Sequence, residues 1–208
     1  MKMELLKRFG KVFGMLAGIG AMSLVFTALF MVLLNLITGF AGGQIAEEAV
    51  TDMSGSLGIM ATGLLTGIFA RKKHYIVEKK SKANVAEVLG YIVLVLGINI
   101  LLYSVTTVLF SKAFPLEAGN SYENVIVKVI SGMLLAPFFE ELLFRVGIYG
   151  YMRIQLGKVW GAIISTLIFA LLHGYQLQGF LSCLTFSFCM VFVYEKTGRI
   201  LYCMLIHM

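Results

Sequence analysis

The sequence predicts an all-α fold: a polytopic transmembrane helical bundle of about seven spans, forming a single membrane domain over residues 1–208. Three observations predict it. Hydrophobic residues make up 59% of the chain and charged residues only 13%, against roughly 45–50% and 25% in a soluble domain, and mean hydropathy is +0.90. Apolar runs recur at close to the ~20 residues that a helix needs to cross a bilayer. The cations gather at the ends of those runs. A water-soluble globule is excluded, and so is a transmembrane barrel, which needs alternating apolar and polar residues.

The first run, residues 13–40, follows a basic start of Lys2, Lys7, Arg8 and Lys11. It exceeds the roughly 7–15 apolar residues of a signal-peptide core, so it is expected to stay as a span. After Glu47, Glu48 and Asp52, a second run covers 56–70 and ends in a cationic loop of Arg71, Lys72, Lys73, Lys79, Lys80 and Lys82. Further runs cover 89–110, 125–152 with charges inside it, 160–172 and 180–194. The seventh begins at Ile200 and reaches only about 13 Å by Met208, short of a ~30 Å hydrocarbon core. It therefore reads as a truncated last span.

Lys and Arg number 4 at the N-terminus, 6 in the 71–82 loop, 3 in the 145–158 region and 2 in the 196–199 turn, 15 of the 17 in the chain. These groups fall on alternating run ends, which by the positive-inside rule places the N-terminus in the cytoplasm. The net charge of +6 thus reads as topology and attraction to anionic lipid, with membrane lipid as a partner and no nucleic acid. Gly14 with Gly18 and Gly63 with Gly67 put small residues on one helical face, which predicts close helix packing. Cys183, Cys189 and Cys203 lie in apolar runs without metal or disulfide spacing and read as small buried hydrophobes. No phosphate loop, dinucleotide motif or inverted repeat is present, which disfavours a small transporter.

Ionisable groups inside apolar spans are costly and are functional-site candidates by default. The fourth run holds Glu140, Glu141 and Arg145, the fifth ends in His173, and the seventh carries His207. On a helix Glu141 and Arg145 form an i, i+4 pair in the favourable order. Glu140 is rotated about 100° from Glu141, so it must face another helix or a water-filled cavity, with His173 and His207 as partners. A carboxylate in such a site is suited to act as general base on water, and imidazoles can stabilise an oxyanion or protonate a leaving amine. Glu140, His173 and His207 are equally the ligand set of a catalytic zinc. A non-catalytic polar clasp between helices is the bland alternative.

Depth constrains the constellation. At 1.5 Å per residue, His173 lies about 20 Å from a boundary at Trp160 and His207 about 12 Å from one at Arg199. Were Arg145 the boundary of the fourth span, Glu140 would be only about 7 Å deep and the three would not meet. Convergence requires a fourth helix that continues to Arg153, with Pro137 as a place for a kink.

In residues 137–207 the sequence resembles the CPBP intramembrane proteases, named for CAAX proteases and bacteriocin-processing enzymes and also called the Abi family. Glu140, Glu141 and Arg145 match the E-E-x-x-x-R motif, Phe169 and His173 match F-x-x-x-H, and His207 matches the first half of a later His-x-x-x-Asn motif. The resemblance places the protease core at about 124–208. It implies that Glu140 activates water, that Glu141 and Arg145 order the site, that His173 and His207 bind the water or the oxyanion, and that Phe169 shapes the substrate pocket. It further implies an endopeptidase of the bacterial plasma membrane acting on a small membrane-associated peptide or membrane protein, such as a bacteriocin or signal-peptide precursor. Glutamate-activated water without a cofactor is favoured over Zn2+. A non-catalytic bacteriocin-immunity or regulatory protein of the same fold is the alternative.

Overall fold

The computed structural model describes residues 2–40, 47–78, 84–110, 135–173 and 176–208. Its elements are all helical: α1 (Lys2–Phe40), α2 (Glu47–Lys72) and α3 (Val85–Phe110). Then comes α4, an unbroken run of Ala136–Glu141, π-helical Leu142–Tyr149 and Gly150–Leu156. It is followed by α5 (Lys158–His173), α6 (Leu177–Thr197) and α7 (Ile200–His207). These seven helices correspond to the seven apolar runs. The first part of the fourth run, with Lys112 and Lys128, lies outside the described residues.

Four of the helices, α1, α2, α3 and α6, are each long and apolar enough to cross a membrane. The fourth run carries its charges where a span should be apolar, and α5 has 16 residues. Two helices begin nine or more residues before their apolar runs. The 39 residues of α1 extend about 58 Å, taking in the basic start, and α2 includes the polar stretch from Glu47.

One end of the bundle gathers the cationic segments. Arg8 donates to the carbonyl of Gln155 at 3.3 Å, the backbone N–H of Val77 donates to Tyr194 Oη at 3.2 Å, and that of Asn84 to Tyr202 Oη at 2.8 Å. The N-terminus, the loop after α2, the α4–α5 junction and the α6–α7 turn therefore share an end, as the alternation of charge requires. Arg145 departs from that count. It is buried within α4, eight residues before Arg153, and Arg153 marks the end instead, paired with Glu195, which Lys158 also reaches at 3.1 Å.

The glycine pairs have different fates. A Cβ at Gly63 would collide with the Phe139 carbonyl, and one at Gly67 would press on Leu142, so α2 lies directly on α4. Gly14 and Gly18 have no neighbour within 4 Å among the described residues. Their spacing does not mark a helix contact here. The cysteines also differ from expectation: Cys203 is buried, while Cys183 and Cys189 are half-buried. Around the site, two apolar clusters join α4 to its neighbours. One brings Val146 and Tyr149 against Met190, Tyr194, Tyr202 and Ile206; the other packs Phe144 and Ile148 with Phe169 and Met152.

Candidate active site

The continuation of α4 to Leu156 supplies what the depth argument demanded, and the side chains meet. Pro137 lies at the start of the described part of α4. The π-helical segment starts directly after Glu141 and includes Arg145. Such wide turns are rare and recur at functional sites.

Two carboxylates, adjacent in sequence, face different surroundings. Glu141 is fully buried: Oε2 lies 3.0 Å from Arg145 Nε, and Oε1 accepts from His207 Nδ1 at 2.9 Å. Arg145, also without exposure, donates from Nη1 to Ser187 Oγ at 2.9 Å and lies over the Phe169 ring, 5.1 Å from its centroid. Glu140 retains 14% side-chain exposure, with Oε2 at 3.6 Å from His173 Nε2 and 3.9 Å from His207 Nε2. His173 is 32% and His207 17% exposed. Glu140 and the two imidazoles can be reached from outside, whereas Glu141 and Arg145 are sealed beneath them.

The hydrogen bonds set the tautomers. His173 Nδ1 lies 2.8 Å from the Phe169 carbonyl; a carbonyl only accepts, so Nδ1 carries the proton. His207 Nδ1 likewise donates to the Glu141 carboxylate. In the neutral rings neither Nε2 then carries a hydrogen, and each stands within 4 Å of the Glu140 carboxylate. Three acceptors thus converge with no hydrogen among them, which is satisfied by a proton on one ring or by a water molecule donating to two of them.

Phe169 stacks on His173, with centroids 4.2 Å apart and planes 18° from parallel, and Phe144 meets the Phe169 ring edge-on at 4.9 Å. Phe186 packs against His207 at 4.8 Å. Ser187 and Phe186 are site residues that no motif pointed to; the one sequence signal for Ser187 is a hydroxyl inside an apolar run.

The donor types match a His2Glu zinc set, and the outer nitrogens of both histidines bond a carbonyl and a carboxylate, as metal-ligating histidines do. Tetrahedral zinc needs its donors about 3.3 Å apart, so both measured separations would have to shorten. Among the described residues no group of three His, Cys, Asp or Glu is arranged to hold a metal as it stands.

Residues 122–208 match the family described as type II CAAX prenyl endopeptidase Rce1-like. The protein "Putative membrane peptidase YdiL" of Bacillus subtilis (strain 168) is 22% identical over 187 residues, covering 84% of this chain and 76% of its own length. No solved structure matches the chain.

Proposed function

We propose that the chain carries a CPBP-type intramembrane protease core and is an endopeptidase in which Glu140 activates the attacking water. The observation that supports this reading most is the convergence of Glu140 Oε2, His173 Nε2 and His207 Nε2 as three acceptors open to one side. A water held there donates one hydrogen to Glu140, which takes that proton as the oxygen attacks the scissile carbonyl. The proton passes through an imidazole to the leaving amine, and the imidazolium offers the oxyanion a charged donor. Glu141 and Arg145, sealed from solvent, hold His207 in the required tautomer, and Phe169 orients His173 by stacking and through its carbonyl. If zinc is used, Glu140, His173 and His207 would hold it, and it would supply Lewis acidity and an activated water.

The substrate in this reading is a peptide or small protein embedded in or lying on the membrane, such as a bacteriocin or signal-peptide precursor, and the setting is a bacterial plasma membrane. The Bacillus subtilis relative and the gathering of cations at one end of the bundle support that setting.

The test is cleavage of a quenched-fluorescent peptide library by the protein in lipid, comparing it with Glu140→Gln. Loss of ~10²–10⁴ in rate with an unchanged melting temperature is expected. Equal cleavage by the variant would remove Glu140 from the chemistry. Measured zinc content and chelator response then separate the water and zinc mechanisms. A folded protein that cleaves no peptide and yet protects cells against a bacteriocin would favour the immunity role.

A further inference from the structure

A cavity of about 410 Å³ opens away from the candidate catalytic residues between α1, α2 and α4. Its walls are apolar, formed by Met15 and Ile19 of α1 and by Leu65 and Phe69 of α2, and its mouth carries Lys72, Tyr75 and Tyr151. That volume is of ligand-site size. The mouth lies at the cationic end of the bundle, where Arg71, Lys72 and Lys73 are all exposed. None of the three pairs with a carboxylate among the described residues. Thr66, 8% exposed, lines the inner part of the cleft between Leu65 and Phe69.

An apolar slot with exposed cations at its mouth describes a ligand with an apolar tail and an anionic head. We propose that this cleft binds one anionic phospholipid from the bilayer, with an acyl chain between α1 and α2 and the phosphate at Lys72. Charge complementarity selects this occupant over a neutral lipid, because polybasic positions at an interface attract anionic headgroups. The back wall of the cleft includes Gly147 of the π-helical segment, two residues beyond Arg145, so the bound lipid leans on the turn that carries the buried ion pair.

The experiment is native mass spectrometry of the full chain released from nanodiscs of equal phosphatidylglycerol and phosphatidylcholine. Preferential retention of one phosphatidylglycerol is expected. Lys72→Glu should lower it on the order of tenfold or more. Ile19→Trp, which fills the slot, should abolish it without lowering the melting temperature. Lys196→Glu, an exposed cation that does not line the cleft, should leave it unchanged. Equal retention of the two lipids, or equal loss in Lys72→Glu and Lys196→Glu, would overturn the site in favour of diffuse surface attraction. The outcome does not depend on peptidase activity.

Discussion

His207 Nδ1 stands 2.9 Å from Glu141 Oε1, joining α7 to α4 at a carboxylate that has no exposure at all. With Arg145 on the other oxygen of Glu141 and Ser187 on Arg145, a relay of polar contacts runs from α6 through α4 to the ring of His207. The relay fixes α4, α6 and α7 together, and His173 on α5 completes the surroundings of Glu140.

Ser187 is a positioning residue within that relay. Ser187→Ala leaves a buried guanidinium N–H without its partner, which costs about 1–3 kcal/mol. Its effect on cleavage should fall on kcat with KM little changed, and Ser187→Thr, which keeps the hydroxyl, should restore most of the rate. A loss shared equally by Thr and Ala would mean that side-chain volume, not the hydrogen bond, matters at this position.

The Glu141–Arg145 pair should show the asymmetry of buried ion pairs. Arg145→Met strands a buried carboxylate and is expected to destabilise the protein by about 3–5 kcal/mol. The double change Glu141→Leu with Arg145→Met should recover much of that stability while staying inactive, because His207 loses its acceptor. Thermal unfolding in detergent beside a cleavage assay reads both quantities.

Replacing Gly63 by alanine pushes a methyl into the Phe139 carbonyl and should cost about 1–3 kcal/mol. Gly14→Ala, on a face with no neighbour among the described residues, should be nearly neutral. Equal melting temperatures for the two variants would contradict the close contact of α2 with α4.

Phe169→Leu removes the ring that stacks on His173 and keeps most of the apolar volume. Peptidase rate should fall while the melting temperature moves little, since isosteric apolar swaps usually cost less than about 1.5 kcal/mol. An unchanged rate would leave Phe169 as packing alone.

Much of this was legible in the sequence because membranes make charge expensive. Glu140, Glu141, Arg145, His173 and His207 stood out against apolar runs, and simple rise arithmetic showed that the helix bearing Glu140 must run to Arg153. The side of the bundle on which each cationic segment emerges followed from alternation. Ser187 was not legible, since one hydroxyl in an apolar span is equally at home bonding its own helix backbone. The π-helical turn leaves no marker in the residue pattern. The Gly14–Gly18 spacing meets no neighbour among the described residues, because a small-residue stripe says that an approach is permitted, not that a neighbour arrives.

The division of the site among α4, α5 and α7 has a consequence for biogenesis. The ribosome makes the glutamates first, His173 next and His207 later still, so a nascent chain holding Glu140 in the bilayer has no second imidazole beside it. On the proposed reading, Glu140 gains its second imidazole only when α7 docks, so docking of that short helix would be the step that arms the site.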